Sequence, residues 1–198
     1  RLPPRDIERI VASHGKYILP LDADDLIAPT YLEKAVKILE DNSRIGFVYS
    51  YVQYFGDENT IWKTKKATAK NIVLFNCATA SSIIRKIAYN KTRGYNQNMK
   101  YGYEDWDFYM SLIEKGWQSE VIPEELFYYR RHGETMYHNA IKNHRFLYMQ
   151  IKKNHPKLFQ WSYPIRYTTY KTYKGIKKII PKKVKKHIKH ILEITNNR

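Results

Sequence analysis

The sequence contains a single cysteine, Cys77, among 198 residues. One cysteine cannot form a disulfide within the chain or build a cysteine-based metal cluster, and it is compatible with a reducing compartment. No stretch approaches the roughly 20 consecutive apolar residues of a membrane-spanning helix. The printed residues also show no secretory-leader pattern, and because they begin with Arg1 rather than Met we expect the natural beginning to be missing.

Acidic residues are nearly absent from the last part of the chain. Residues 142–198 contain 16 Lys and Arg side chains against one acid, Glu193, whereas residues 1–141 contain 19 basic and 18 acidic side chains. The formal net charge of +16 therefore belongs almost entirely to the end of the sequence. We predict a near-neutral globular domain over 1–141 and a basic, aromatic-rich helical tail over 142–198 that has its own partner.

Three carboxylates follow a short apolar run near the beginning. Residues 17–21 precede Asp22, Asp24 and Asp25. Such a run predicts a buried strand of a parallel sheet, and ligands of open α/β sheets bind beyond the carboxyl ends of the strands. Strand alternation would put Asp22 and Asp24 on one side, where their oxygens could bind one divalent cation, and would turn Asp25 away. This stretch alone leaves open a simple turn before a helix, since Asp favours turns.

A second acidic group follows a glycine-containing loop. Glu104 and Asp105 open a predicted helix, and the helix dipole favours a carboxylate in its first turn. An ionised Asp105 that faces a cleft could take a proton from a hydroxyl nucleophile, although the pair could equally serve only as a helix cap. Further along, Arg130 and His132 follow a predicted strand. There His132 could bind metal or phosphate, but a lone histidine is more often structural.

Hydrophobic periodicity predicts alternating helices and strands. Helices are predicted over 5–13, from a capping box at Thr30 and Glu33 to residue 41, over 86–92, and from about 105 to Gly116. Strands are predicted over 45–55, within 76–85, over 118–122 and from 127 onward. Residues 57–71 are predicted to form a surface loop.

Three ordered motifs resemble those of the family 2 inverting glycosyltransferases. They are the stretches 21–25 (Leu-Asp-Ala-Asp-Asp), 104–107 (Glu-Asp-Trp-Asp) and 129–132 (Tyr-Arg-Arg-His). The resemblance covers residues 5–137. It implies an α/β architecture of the GT-A type, Rossmann-like, with a mixed sheet flanked by helices. It also implies transfer of a sugar, with inversion, from a nucleotide-sugar donor to an acceptor hydroxyl of a glycan or a lipid-linked glycan.

The resemblance assigns roles to individual residues. Asp24 would be the direct ligand of Mn²⁺ or Mg²⁺, Asp22 would be its partner or a nucleotide contact, and Asp105 would be the general base. The remaining substrate-binding candidates are Asp25, Glu104, Trp106, Arg130 and His132.

The resemblance also raises an expectation about the beginning of the domain. Members of the family usually have three strands and helices before the Asp-x-Asp pair, whereas only 21 residues precede Asp22 here. We therefore expect an N-terminally truncated GT-A domain that lacks the part reading the nucleotide base. Such a chain would show no appreciable transfer by itself.

The tail combines lysines with a stripe of isoleucines at helical spacing over residues 171–192. This pattern predicts a basic amphipathic helix on an anionic membrane surface, which would make the protein cytoplasmic and peripheral on the inner face of the cell membrane. The alternatives are a helix packed on the catalytic domain and a nucleic-acid-binding arm. No nucleic-acid partner is expected, because residues 1–141 are nearly balanced in charge. A catalytically inactive remnant that binds membrane or a partner is the other alternative.

Overall fold

The computed structural model describes residue 8, residues 10–133 and residues 136–159. The described residues up to 158 belong to one compact unit. In chain order its elements are β1 (Tyr17–Ile18), β2 (Leu26–Ile27), α1 (Tyr31–Asp41), β3 (Ile45–Gly56), β4 (Ile61–Trp62), α2 (Ala69–Ile72), β5 (Ile83–Arg85), α3 (Lys86–Asn90), α4 (Glu104–Glu114), β6 (Gln118–Arg131), α5 (Met136–Lys142) and α6 (His144–Asn154). Before them, residues 10–12 are helical, within the predicted helix at 5–13.

The described strands form one mixed sheet flanked by helices, which confirms the predicted α/β class. Their order is β1-β5-β3-β6-β2, with β4 paired to β3. Strands β3 and β6 are parallel, whereas β2 pairs with β6 and β5 pairs with β3 in the antiparallel sense. The long apolar runs of β3 and β6 form the centre of this sheet.

Strand β1 differs from its prediction. It is a two-residue strand that pairs antiparallel with β5, with Tyr17 opposite Arg85, at one end of the described sheet. Its ladder cannot extend through Pro20, because proline has no N–H to donate. The chain has therefore left the sheet before it reaches the acidic residues.

Strand β6 runs unbroken over 14 residues, where the sequence predicts two separate strands. The register against β3 advances from Ser50 opposite Ile122 to Tyr51 opposite Glu125, so Pro123 falls in a bulge. Bulges accommodate proline within a strand and bend it. This continuity carries the end of β6 to the acidic turn.

Helix α1 packs its apolar face on the sheet. Tyr31, Ala35 and Leu39 are fully buried in the main core cluster, and the Tyr31 hydroxyl donates to the Ser81 carbonyl at 3.0 Å. Burying a large apolar side chain contributes roughly 1.5–3 kcal/mol, so this face is enough to hold the helix in place. The predicted capping box is wrong, because Thr30 is itself in a helical conformation and its side chain makes no cap hydrogen bond.

Helix α6 lies beyond the predicted domain boundary at residue 141, yet it packs on the same compact unit. Leu147 and Ile151 are fully buried, and the Tyr148 hydroxyl donates to the Val73 carbonyl at 2.7 Å. The first part of the predicted tail is thus structurally joined to the domain. Residues 171–192 lie outside the described residues. In the part of the chain that the structure describes, no helix is long and apolar enough to cross a bilayer.

Candidate active site

The three aspartates of the first motif lie on a turn between β1 and β2. The Asp25 N–H donates to the Asp22 carbonyl at 3.2 Å, which closes the turn. Asp22 and Asp24 are exposed, whereas Asp25 is buried and its Oδ1 accepts a hydrogen bond from the Arg130 backbone N–H at 2.9 Å. The prediction that Asp25 points away from the other two is confirmed. A turn, rather than strand alternation, produces this division.

Asp25 anchors the turn to β6 at an electrostatic cost. Burial, and then the neighbouring charges of Asp22 and Asp24, raise the pKa of Asp25 to about 6, while the Arg130 N–H opposes the rise. The Asp25 carboxylate is therefore a hydrogen-bond acceptor within the protein and is shielded from solvent. Asp22 and Asp24 are the members of the motif that face solvent.

The end of β6 brings the Arg-x-His residues onto the same turn. The Arg130 Nε donates to the Asp24 carbonyl at 3.1 Å, and the His132 Nε2 lies 3.1 Å from the Asp24 Oδ2. The Arg130 guanidinium also stacks over the Phe55 ring, 4.4 Å from its centroid. Motifs that are more than 100 residues apart in sequence meet here because β2 and β6 are paired.

A cavity of about 520 Å³ adjoins this group and shares His132 with it. It is lined by Asp57, Glu58, Arg131, His132, Gly133 and His138. The Gly133 N–H donates to the Asp57 Oδ2 at 2.9 Å, which fixes the backbone immediately after His132. The site therefore continues from the acidic turn into an open hollow beyond β6.

Asp105 occupies the second position of α4 and is half-buried. Its Oδ2 accepts from the Asn76 Nδ2 at 2.9 Å, and its Oδ1 accepts from the Trp106 N–H at 2.7 Å. Burial, followed by the charge of Glu104, raises the pKa of Asp105 to about 6, while both hydrogen bonds oppose the rise. A carboxylate with this pKa is ionised at neutral pH and is a stronger base than an exposed aspartate.

A buried tyrosine, Tyr95, packs on the helix that carries Asp105. Its side chain is buried and stacks on Phe108 of α4, with ring centroids 4.6 Å apart. Burial raises the pKa of the Tyr95 hydroxyl, and the charges of Asp105, Glu104 and Asp22 raise it further.

Two residues that contact or surround the candidate base were not found from the sequence. Asn76 lies in an irregular segment 29 residues before Asp105, and Tyr95 lies in the loop before α4. Neither belongs to a periodic pattern or to a recognised motif. Trp106 was predicted to bind substrate, but it is buried and donates to the Ile72 carbonyl at 2.6 Å. Its backbone N–H donates to the Asp105 carboxylate. Its substrate contact stays a prediction.

The carboxylates of the acidic turn fit a hard divalent cation. Among the described residues, no three His, Cys, Asp or Glu side chains are grouped so that they could hold a metal by themselves. Mg²⁺ commonly binds proteins through only one or two carboxylates, together with substrate phosphates. Asp22 and Asp24 supply two exposed carboxylates on one turn, and Asp24 lies next to the arginine and histidine at the end of β6.

Comparisons with known proteins agree with the geometry. The family described as glycosyltransferase like family 2 matches residues 10–187. The uncharacterized glycosyltransferase MJ1057 of Methanocaldococcus jannaschii is 30% identical over 159 residues, which cover 73% of this chain and 52% of that protein. An uncharacterized glycosyltransferase of Haemophilus influenzae is 26% identical over 145 residues, or 66% of this chain and 44% of that protein. The chain spans about half the length of these curated relatives.

Solved structures give the same fold. TarS of S. aureus, crystallised with UDP-GlcNAc, superposes with a TM-score of 0.55 at 18% identity, over 68% of this chain and 40% of that one. A second TarS structure superposes with a TM-score of 0.55 at 13% identity, over 73% of this chain and 42% of that one. At such identities the likeness concerns the fold alone.

Proposed function

Because the chain belongs to glycosyltransferase family 2 and has the GT-A fold, we propose that it takes part in an inverting transfer of sugar from a nucleotide-sugar donor to an acceptor hydroxyl. The acceptor would be a glycan or a lipid-linked glycan. The observation that supports this proposal most is that β6 brings Arg130 and His132 onto the turn that carries Asp22 and Asp24. Asp105, half-buried at the start of α4, is the separate carboxylate that is suited to accept a proton.

Asp105 is the proposed general base. It removes the proton of the acceptor hydroxyl while that oxygen forms a bond to the anomeric carbon, and the bond to the nucleoside diphosphate breaks with its electron pair. A single displacement inverts the anomeric centre. The raised pKa of Asp105, about 6, supports this role, and the Asn76 amide holds the carboxylate in a fixed orientation.

Asp24 and Asp22 are the proposed cation ligands, with the diphosphate of the donor completing the coordination. Mn²⁺ or Mg²⁺, when bound, would offset the negative charge that develops on the departing diphosphate. Arg130 and His132 lie within hydrogen-bonding distance of Asp24 and could donate to phosphate oxygens. UDP-GlcNAc, the molecule crystallised with TarS, is the class of donor that such a site would accept.

Calorimetry on the full-length protein tests this donor site. Mn²⁺ and UDP or GDP should bind together to the wild type, and Asp24→Ala should lose most of that binding. Asp41→Ala is the matched control, because Asp41 is an exposed aspartate on α1 that pairs with Lys37 at 2.8 Å. Unchanged affinity in Asp24→Ala would remove the cation role from this residue.

Membrane association is part of the proposal and rests on the sequence of residues 171–192. Their lysines and isoleucines would hold the protein as a peripheral component on the cytoplasmic face of the cell membrane. Changing Lys177, Lys178, Lys182 and Lys183 to Gln should weaken binding to anionic vesicles at low salt. Equal binding by this variant would contradict the role of the tail.

A further inference from the structure

Helix α6 has an apolar outer side as well as a buried inner side. Phe146 and Met149 on this outer side are 57% and 58% exposed. Tyr101, in the loop before α4, is 59% exposed, and its ring lies edge-on to Phe146 with centroids 6.4 Å apart. Three large apolar side chains, two of them in contact, form an exposed patch of the kind that marks an interaction site.

Lysine and arginine side chains belong to the same segment of the chain as two members of this patch. Residues 136–159 contain five Lys or Arg side chains and no acidic residue. Arg145 and Lys153 are exposed on α6 itself, next in sequence or one turn away from the apolar pair. We refer to Tyr101, Arg145, Phe146, Met149 and Lys153 as the α6 outer surface. Apolar side chains flanked by cations match a membrane interface, where acyl chains lie beneath anionic headgroups.

The inner side of α6 is attached to the first turn of the candidate catalytic helix. The Tyr103 hydroxyl lies 2.9 Å from the His144 Nδ1, and the rings of Trp106 and Tyr148 lie 5.8 Å apart. At its other end, the Asn154 Nδ2 donates to the Asp107 Oδ1 at 2.7 Å. Whatever binds the outer surface is therefore one helix diameter from the turn that carries Asp105.

We propose that the α6 outer surface docks on an anionic phospholipid membrane, with Phe146, Met149 and Tyr101 entering the interface and Arg145 and Lys153 contacting headgroups. Docking there would present the start of α4 to acceptors held in the bilayer. The inference takes the membrane and the lipid-linked acceptor from the proposed function. The binding surface itself, however, is separate from residues 171–192.

The test uses the full-length protein and co-sedimentation with phosphatidylcholine vesicles, with and without phosphatidylglycerol. The double variant Phe146→Ser, Met149→Ser should partition into the anionic vesicles about tenfold less and lose binding that survives high salt. Leu32→Ser is the control, because Leu32 is an exposed leucine on α1. Unchanged circular dichroism and melting temperature in the variant would show that the loss is not due to unfolding.

A charge variant separates the electrostatic contribution to vesicle binding from the apolar contribution. Arg145→Gln with Lys153→Gln should reduce only the binding that salt weakens, since exposed charges are screened within about 10 Å at 0.1 M salt. Lys37→Gln with Lys63→Gln makes the same change in net charge away from α6 and should have little effect. Equal losses in both charge variants would indicate nonspecific attraction and would overturn the inference.

Two backgrounds distinguish this surface from the tail. Both α6 variants are compared in the wild-type chain and in the chain with the tail lysines changed to Gln. If each α6 variant binds vesicles as well as its own parent chain in both backgrounds, the inference is overturned and the proposed role of the tail stays intact. Loss in both backgrounds supports it, even if the tail variant itself binds normally. If the wild type forms a dimer that the Phe146 and Met149 changes dissociate, a second copy covers the surface and the membrane inference is wrong.

Discussion

Asp105 and Asp107 lie two residues apart on α4, and their surroundings differ. Asp105 is half-buried, accepts hydrogen bonds from the neutral Asn76 amide and Trp106 N–H, and stands beside the like charge of Glu104. Asp107 is 2% exposed, and its Oδ1 lies 3.1 Å from the His155 Nε2 and accepts from Asn154. On its other side, the His155 Nδ1 lies 3.0 Å from the Glu114 Oε2.

A buried carboxylate is therefore not by itself evidence of a catalytic group. Burial alone would lower the pKa of His155, but the nearby carboxylates of Asp107 and Glu114 raise it overall, so the cluster favours the charged imidazole. That partner makes Asp107 a structural group that joins α6 to α4. Asp105 has no such cation among its described contacts, and its pKa rises to about 6. Perturbed pKa values of this kind are concentrated among functional acids and bases.

The largest expected effect comes from Asp105→Asn. Turnover should fall by roughly 10²–10⁴-fold, because the amide cannot take the proton, while binding of the nucleoside diphosphate survives. The free energy of unfolding at pH 7 should rise by about 1 kcal/mol, because ionising this half-buried group opposes folding. A transfer assay and thermal melts measure the two effects.

The stabilising effect of Asp105→Asn has a definite pH dependence. The folded-state pKa of Asp105 is about 6, above its ordinary 3.8, so the wild type loses stability as pH rises through this interval. The advantage of the variant should therefore vanish below about pH 4. Normal turnover by Asp105→Asn would refute the assignment of the base.

The next effect is on stability, from Asp107→Ala. Removal of this carboxylate leaves a cavity and separates the His155 charge from one of its two partners, so the free energy of unfolding should fall by about 3 kcal/mol. Urea denaturation measures the change. Asp41→Ala, which breaks an exposed pair, should cost less than about 1 kcal/mol. If the two variants were equally stable, the proposed contrast between the aspartates would be lost.

Asn76→Ala should change the pKa of the proposed base, Asp105, without removing its carboxylate. The Asn76 hydrogen bond lowers the pKa of Asp105, so its loss should move the acidic limb of the kcat/KM profile to higher pH. We expect about a fivefold loss of activity near pH 6, and a smaller loss at pH 8. The control is Asn71→Ala, since Asn71 donates its side-chain amide to the exposed Lys66 carbonyl. An unshifted profile would show that Asn76 does not position the carboxylate.

The smallest effect is the alkaline loss of stability attributed to His155. Its folded-state pKa is raised above 6.5, so its contribution is complete below pH 6.5 and is lost as pH rises through the folded value. The loss should be on the order of 1 kcal/mol and should be absent in His155→Gln. His14→Gln, at an exposed site, should behave like the wild type. An identical alkaline slope in His155→Gln would contradict this interpretation.

The sequence predicted the family and the elements with strong hydrophobic patterns. Strand β3 and helices α1 and α4 appear at the predicted places, because periodicity and flanking breakers are local signals. The packing of helix α6 on the domain was missed because a change in composition was taken as a domain boundary. Charge shows which residues face solvent, but it does not show that Leu147, Tyr148 and Ile151 on the same helix are buried.

The site was predicted only where a motif marks it. Asp22, Asp24 and His132 could be named because they belong to ordered motifs. Asn76 could not, because a side-chain hydrogen bond between residues 29 apart leaves no periodic trace in the sequence. The antiparallel pairing of β1 was also hidden, since a short apolar run is equally compatible with either direction of pairing. Long-range pairing is the information that the sequence pattern lacks.

The parallel pairing of β3 with β6 divides the candidate site between two parts of the chain. Parallel neighbours require a crossover, and residues 57–117 form that connection. Asn76, Tyr95 and Asp105 all lie within it, whereas the acidic turn and the end of β6 lie outside. A graft of this crossover between relatives would therefore carry the proposed proton acceptor with its neighbours and leave the proposed cation ligands untouched.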